Sequence, residues 1–327
     1  MNAIHACRLA VALMACTAQV TAIAQGTANY PSKPVMMVLP FPPGGSPELA
    51  ARKFADKLGQ SMGKAFLVDF KPGAGTGIGS AFVARSLPDG HTLLYVTNSF
   101  TILPAVSDSA PYDAIKDFDP IVLLSKQPSF LLVNTKLPIN NFKQYLAYAK
   151  AHPGELNYGM IGVGGGNHLS GAWLHHMTDT RVTYVPYKGS TLPFLMSGEI
   201  QVSTATISAA LPLIRAGKIR AIANTDAVRS PALPDVPTLI EQGLPGYEFA
   251  PWQGWLAPAG VPAAIARKLE SEFVAALNSP DINDMLVKSG TVPVGAGGAQ
   301  FRKMLQAELA RWARVARDAN IRVADQG

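Results

Sequence analysis

Cysteine is nearly absent: the 327 residues contain two, Cys7 and Cys16, both close to the amino terminus. Once that segment is removed, a disulfide framework, a thiol nucleophile and a thiolate metal site are all excluded, and stability must come from packing. Charge is sparse as well, at 15% of residues, and the formal excess of +6 is scattered apart from a denser run in "ARWARVARDANIRV". Scattered lysine and arginine solvate a surface, so nucleic acid is not an expected partner, and only a mild bias toward anionic partners remains. The familiar signatures of catalysis are missing. There is no H-E-x-x-H and no G-x-G-x-x-G with its acidic partner, and "GQSMGKA" is one residue short of a P-loop and lacks its Ser or Thr. His175 and His176 are adjacent, which on a helix turns them about 100° apart and unsuits them to a shared metal. No metal or cofactor is expected.

What is present reads as a globular protein. Hydrophobic residues make up 48% of the chain, and 26 prolines with 29 glycines call for many short, tight connections. The first 24 residues differ from the rest: Arg8 supplies a positive start, "LAVALMACTAQVTAIA" is apolar and small, and "AIA" before Gln25 fits a cleavage site. We read residues 1–24 as an export signal. Thr17, Gln19 and Thr21 argue against a membrane anchor, and lipidation at Cys16 in "LMAC" is an open alternative for which Met14 is an awkward residue.

Strand-like and helix-like runs alternate from there. "VMMVL", the helix opened by "SPELAARKFADKLG", "AFLVDF", a helix through "IGSAFVARSL" and "TLLYVT" give βαβαβ, which predicts parallel pairing. A second set runs from "PSFLLVN" to "IRAIANT", so the α/β chain should hold two sheets. "PIVLLSKQPSFLLVN" and "GYEFAPWQGWLAP" suit two crossings between them, with Trp252 and Trp255 read first as interdomain packing. Near the end, "PAAIARKLESEFVAALNS" and "AQFRKMLQAELARWARVARDAN" are amphipathic helices expected to pack on one sheet. The resulting division is 28–124 plus 254–327 for one lobe and 125–253 for the other.

Three Gly-rich turns stand between a strand and a helix. In "PFPPGGSPELAAR", Pro42 and Pro43 end a strand, Gly44 and Gly45 free the backbone, and Ser46 reads as an N-cap with Glu48 in the first turn. The free N–H groups and positive dipole of such a helix start can hold a carboxylate or phosphate, although Glu48 would compete with a bound anion. An ordinary capped turn is the plain alternative. The pattern recurs in "KPGAGTGIGSAFVAR" and again in "GMIGVGGGNHLSGAWL". In parallel sheets such loops gather at the carboxyl ends of strands, so two sets would face each other across a cleft. His168 could donate to an anion or bond its own backbone, and Lys188 and Ser190 in "YVPYKGS" could reach a ligand or solvent.

Taken in order, "YPSKPVMMVLPFPPGGSPELAAR", "PGAGTGIGSAFVARSLPDGHTLL", "PYDAIKDFDPI", "HPGELNYGMIGVGGGNHLSG", "VPYKGS" and "RSPALPDVPTLIEQGLPGYE" resemble the Bug family, the solute-binding proteins of tripartite tricarboxylate transporters. The resemblance runs from about Tyr30 to the C-terminus. It implies a periplasmic-binding-protein type II fold, a two-lobed Venus flytrap, closing over a small carboxylate held by backbone N–H groups and water. It also implies the periplasm of a Gram-negative cell, a monomer and membrane permease subunits as partners. Carried over by motif, Pro43, Gly44, Gly45 and Ser46, then Gly75, Thr76 and Gly77, then Thr97, Asn98 and Ser99 belong to the first lobe's wall. Gly164, Gly165, Gly166, Asn167 and His168, with Lys188 and Ser190, belong to the second.

The chain departs from the family pattern at Glu48, where Asp is usual, at Met160 and Gly165, where serines are usual, at Gln201 and Ala205, where aspartates are common, and at His91. These changes disfavour amino acids and highly polar dicarboxylates and favour a less polar, even aromatic, carboxylate. The rival readings are an exported enzyme using the same cleft, which needs a nucleophile with a base or a metal cluster, and a ligand-free sensory or interaction scaffold.

Overall fold

The computed structural model describes residues 29–44 and 46–323. The expected export signal, with Cys7 and Cys16, lies outside the described residues, as do Gly45 and the side chain of Ser46. Strand β1 (Val35–Leu39), helix α1 (Ser46–Met62), β2 (Phe66–Phe70), a short 3-10 turn at Ala74–Thr76, α2 (Gly77–Ala84) and β3 (Thr92–Thr97) form the expected βαβαβ unit. Both β2 and β3 pair with β1 in parallel. Helix α3 (Asn98–Val106) follows β3 without a break, and β4 (Phe118–Lys126) ends the first run.

The second run is β5 (Ser129–Asn134), α4 (Phe142–Ala151), β6 (Asn157–Ile161), α5 (Gly166–Thr178), β7 (Thr183–Tyr187), α6 (Leu192–Ser197), β8 (Val202–Thr206), α7 (Ile207–Arg215) and β9 (Ile219–Asn224). The chain then returns through β10 (Trp252–Pro258), α8 (Ala263–Leu277), α9 (Pro280–Lys288), β11 (Val292–Gly297) and α10 (Gly298–Asp318). Two sheets result: a six-stranded one ordered β11-β4-β10-β3-β1-β2 and a five-stranded one ordered β7-β6-β8-β5-β9. Each is mixed, because β10 runs antiparallel to β3 and β4 while β5 runs antiparallel to β8 and β9. The crossing strand β5 and the returning strands β10 and β11 supply the antiparallel pairs.

Side-chain alternation builds a core on each face of both sheets. In the first, Val35, Met37, Leu39, Leu93 and Tyr95 turn to one face, where Leu269, Phe273 and Leu277 of α8 cover them. Val38, Leu94 and Val96 turn to the other, with Phe100, Phe301 and Leu305. In the second, Leu131 and Val133 oppose Phe130 and Leu132 in the same way. Trp255 stacks on Phe273 at 5.6 Å inside the first lobe, so it is a core residue rather than a packing piece between lobes.

The final helix corrects one expectation. Helix α8 packs on the first sheet, but α10 serves both lobes: Phe301 and Leu305 join the first core, whereas Trp312, Val315 and Ala316 join the second. Ile102, Ala105 and Val106 of α3 also enter the second core. The apolar stripe of α10 is simply longer than one sheet, and at 21 residues it spans about 30 Å. The lobes are therefore joined by the Gln127–Pro128 link, by the return into β10 and by a helix.

Gly254 shows how closely α10 approaches the first sheet. A β-carbon there would stand 2.6 Å from the Phe301 ring and 2.7 Å from the Val122 carbonyl oxygen. Gly254→Ala is expected to destabilise the fold by about 1–3 kcal/mol, the usual cost of overpacking, read as an earlier midpoint in chemical unfolding. An unchanged midpoint would show that the helix can shift freely.

Candidate functional site

Because β1, β2 and β3 are mutually parallel, as are β6, β7 and β8, each set ends along one edge of its sheet. The two edges face each other and enclose a cavity of about 520 Å³. Three helices of nine or more residues start on it, at Thr97 to Ser99 before and within α3, at Gly166 and Asn167 of α5, and at Thr206 and Ala209 around the start of α7, and Thr191 and Leu192 at the start of the six-residue α6 line it as well. None of the three has a side-chain cap, and none carries an acidic residue in its first turn. Their positive ends thus converge on one space with no built-in counter-charge, each favouring an anion by about 0.3–1 kcal/mol at an exposed start. Among the described residues no charged side chain lines the cavity. Its donors are amides, hydroxyls and backbone, and Ile161, Phe249 and Trp252 give it apolar walls.

Asn98 is the sharpest feature. It is 6% exposed, its Oδ1 accepts the Trp252 main-chain N–H at 3.0 Å, and its Nδ2 is buried without a partner. The bond to Trp252 fixes which end of the amide is oxygen, so Nδ2 is the end left over. Leaving a buried donor unpaired costs about 1–3 kcal/mol. Asn167 is placed differently: its Nδ2 donates to the Thr204 carbonyl (2.7 Å) and to Thr204 Oγ1 (2.6 Å), and its Oδ1 accepts the Ile161 N–H (3.2 Å). Its side chain braces the second wall, with Tyr158 Oη 2.9 Å from the same Thr204 hydroxyl.

A second cavity of about 620 Å³ adjoins the first and shares Ser99 with it. It receives Gly75, Gly164 and Gly165, together with Ile102, Leu103 and Val106 along α3. Backbone geometry shapes both of its loops. Ala74, Gly75 and Thr76 take successive left-handed φ angles of 46°, 59° and 86°, a costly run for residues other than glycine. At Gly165 a β-carbon would stand 2.8 Å from the Ile161 carbonyl oxygen, so the turn into α5 requires glycine.

Of the residues expected from sequence, the first cavity gathers Thr97, Asn98, Ser99, Gly166, Asn167 and Ser190, and the second Gly75, Gly164 and Gly165. Thr76 and Gly77 are buried behind their loop. Pro43, Gly44, Glu48 and Lys188 line neither cavity, and Lys188 is exposed. Glu48 behaves as the competing anion: its carboxylate accepts the Gly44 N–H at 2.7 Å and pairs with Arg52 at 2.7 Å. Those two contacts hold its carboxyl below the usual range. His168 is buried and lines neither of these cavities, its Nδ1 accepting the Gly164 N–H at 3.1 Å, and burial lowers its basicity. His175, held at 2.6 Å by Tyr145 and by Tyr184, is pushed down to about 3 by burial and belongs to the core.

Sequence reasoning missed Gln127, Ser129, Thr204, Thr206 and Phe249 and gave Trp252 a packing role. "SKQPSF" and "QVSTATI" mark a lobe crossing and a strand end, which is the available signal for the first four. Of the two departures in the latter stretch, Ala205 lines the cavity, whereas Gln201 is committed to the Gly198 carbonyl and the Asn157 N–H.

Known proteins share this architecture. Residues 50–321 match the tripartite tricarboxylate transporter family receptor, TctC. Protein BugT of Bordetella pertussis is 33% identical over 299 residues, covering 90% of this chain and 92% of BugT. An R. palustris protein solved with adipate is 34% identical, with a TM-score of 0.75, covering 90% of this chain and 99% of that one. The MatC protein of Rhodopseudomonas palustris, solved with bound malate, is 29% identical, with a TM-score of 0.71, covering 88% and 99%. With matched helices, strands and loops running through nearly the whole chain, this protein belongs to the TctC, or Bug, family of tripartite tricarboxylate transporter receptors.

Proposed function

We propose that this protein is a periplasmic solute-binding protein that captures a small carboxylate between its lobes and delivers it to a tripartite tricarboxylate permease. The observation that carries the reading is the unpartnered Nδ2 of Asn98 at the meeting point of three uncapped helix starts. A carboxylate satisfies that donor and the free N–H groups around it together. The adipate and malate bound by the two R. palustris proteins support the ligand class. Phe249, Trp252 and Ile161 favour a ligand with an apolar body between or beside its charged groups. Lobe closure would bring the loops of the second cavity toward the bound molecule.

Thermal unfolding against adipate, malate and a set of aromatic carboxylates tests this. A ligand at about 100 times its dissociation constant stabilises the fold by about 2.7 kcal/mol, and at least one member is expected to do so. Silence across the whole set would count against carboxylate capture, and turnover of any member would favour an exported enzyme in the same cleft.

A further inference from the structure

Behind the wall of the first cavity lies a carboxylate that the binding reading does not use. Glu308 of α10 is 6% exposed, and its Oε2 accepts three donors: Trp252 Nε1 at 2.8 Å, Thr101 Oγ1 at 2.9 Å and Trp312 Nε1 at 3.3 Å. Among the described residues no cationic side chain forms an ion pair with it. Arg311, whose charge acts on it, donates instead to the Glu248 carbonyl and lies over the Trp173 ring. Burial pushes the carboxyl above its usual range, while the three donors pull the other way. A buried acid held only by neutral donors is expensive, and replacing such a group by an apolar one is often neutral for stability alone. Its geometry is therefore the better guide to its role.

Two of the three donors lead to Asn98. The Trp252 residue whose indole meets Glu308 is the residue whose main-chain N–H donates to Asn98 Oδ1. Thr101, one turn along α3, has its hydroxyl between the Glu308 carboxylate and the Asn98 carbonyl at 3.0 Å. We infer that Glu308 is a positioning residue for the ligand site: by gathering the Trp252 indole and the Thr101 hydroxyl on one oxygen, it locks the Asn98 amide, with its unpartnered Nδ2, in the wall of the cavity. The inference rests on the carboxylate-binding reading for its purpose, though not for its geometry. It also ties the site to α10, which like α3 enters both cores.

The test combines a ligand-free and a ligand-bound measurement on the full chain. With asparagine labelled by nitrogen-15, the Asn98 side-chain amide signal, identified by its loss in Asn98→Asp, is expected to shift or broaden in Glu308→Leu. Glu308→Gln keeps an oxygen for the same donors and is expected to stay close to the parent. In titrations with adipate, Glu308→Leu should weaken binding about tenfold or more, and Glu308→Gln by much less, the loss of one well-oriented charge-assisted bond corresponding to about that factor. An Asn98 signal unmoved in folded Glu308→Leu, or equal losses of affinity in both variants, would overturn the inference. Should Glu308→Leu fail to fold, Thr101→Val removes one of the gathered donors at constant volume and is read the same way. If the parent protein ignores adipate, the choice of that ligand fails, while the amide signal still decides the role of Glu308.

Discussion

Asn98→Asp is expected to leave the protein folded and to abolish its carboxylate binding. The substituted side chain keeps an oxygen for the Trp252 N–H, so the link between α3 and β10 survives. An acid in the first turn of a helix is favoured by the dipole, which offsets part of the cost of burying it. The ligand meets the opposite situation. A charge-assisted hydrogen bond worth about 1.5–3 kcal/mol disappears. In its place stands a like charge, and two unit charges about 4 Å apart repel by on the order of 4 kcal/mol at an effective dielectric of about 20. Either change alone weakens binding tenfold or more, and together they take it beyond about a thousandfold. Calorimetric titration beside a melting curve separates the two effects: affinity gone with the melting transition retained is the expected pair. Retained affinity would mean that the carboxylate sits elsewhere.

The second large effect is on stability. Trp312→Ala is expected to cost about 3–5 kcal/mol, because a fully buried indole is removed from the end of α10 that enters the second core. Its ring meets Trp173 at 6.1 Å and Phe249 at 5.9 Å, both edge-on, and its Nε1 reaches Glu308. Phe249 lines the first cavity, so the vacated space lies directly behind the site. Chemical unfolding should show an earlier midpoint and, because the helix also packs on the first lobe, a loss of sharpness as the lobes begin to unfold separately. A single sharp transition at the parent midpoint would show that α10 does not couple them.

The strands and Gly-rich turns were legible because each rests on local chemistry. Apolar runs such as "VMMVL" and "TLLYVT", bounded by prolines and glycines, can hardly be anything but buried strands. Glu48 was legible too, since an acid four residues after Gly44 at a helix start can reach back to its N–H. Helix α3 was hidden. It begins directly from β3, its N-cap Thr97 forms no side-chain cap, and Pro104 lies inside it, so each ordinary marker of a helix is missing or misleading. The helix start at the centre of the site therefore had to be seen in three dimensions. The same holds for Glu308, whose partner Thr101 is 207 residues away in the chain. Nothing in "MLQAELARW" distinguishes that acid from a solvated one except that it falls on the apolar face. The double service of α10 was out of reach for a related reason: periodicity shows which face of a helix is buried, and it does not show against how many sheets.

The most direct measurement is a crystal structure of the complex with the carboxylate that stabilises the protein most. One carboxylate group is expected in the first cavity, an oxygen about 2.7–3.2 Å from Asn98 Nδ2, with contacts from the start of α5 on the opposite wall. A ligand bound outside this cavity, or one inside it with its apolar part against Asn98, would contradict this placement.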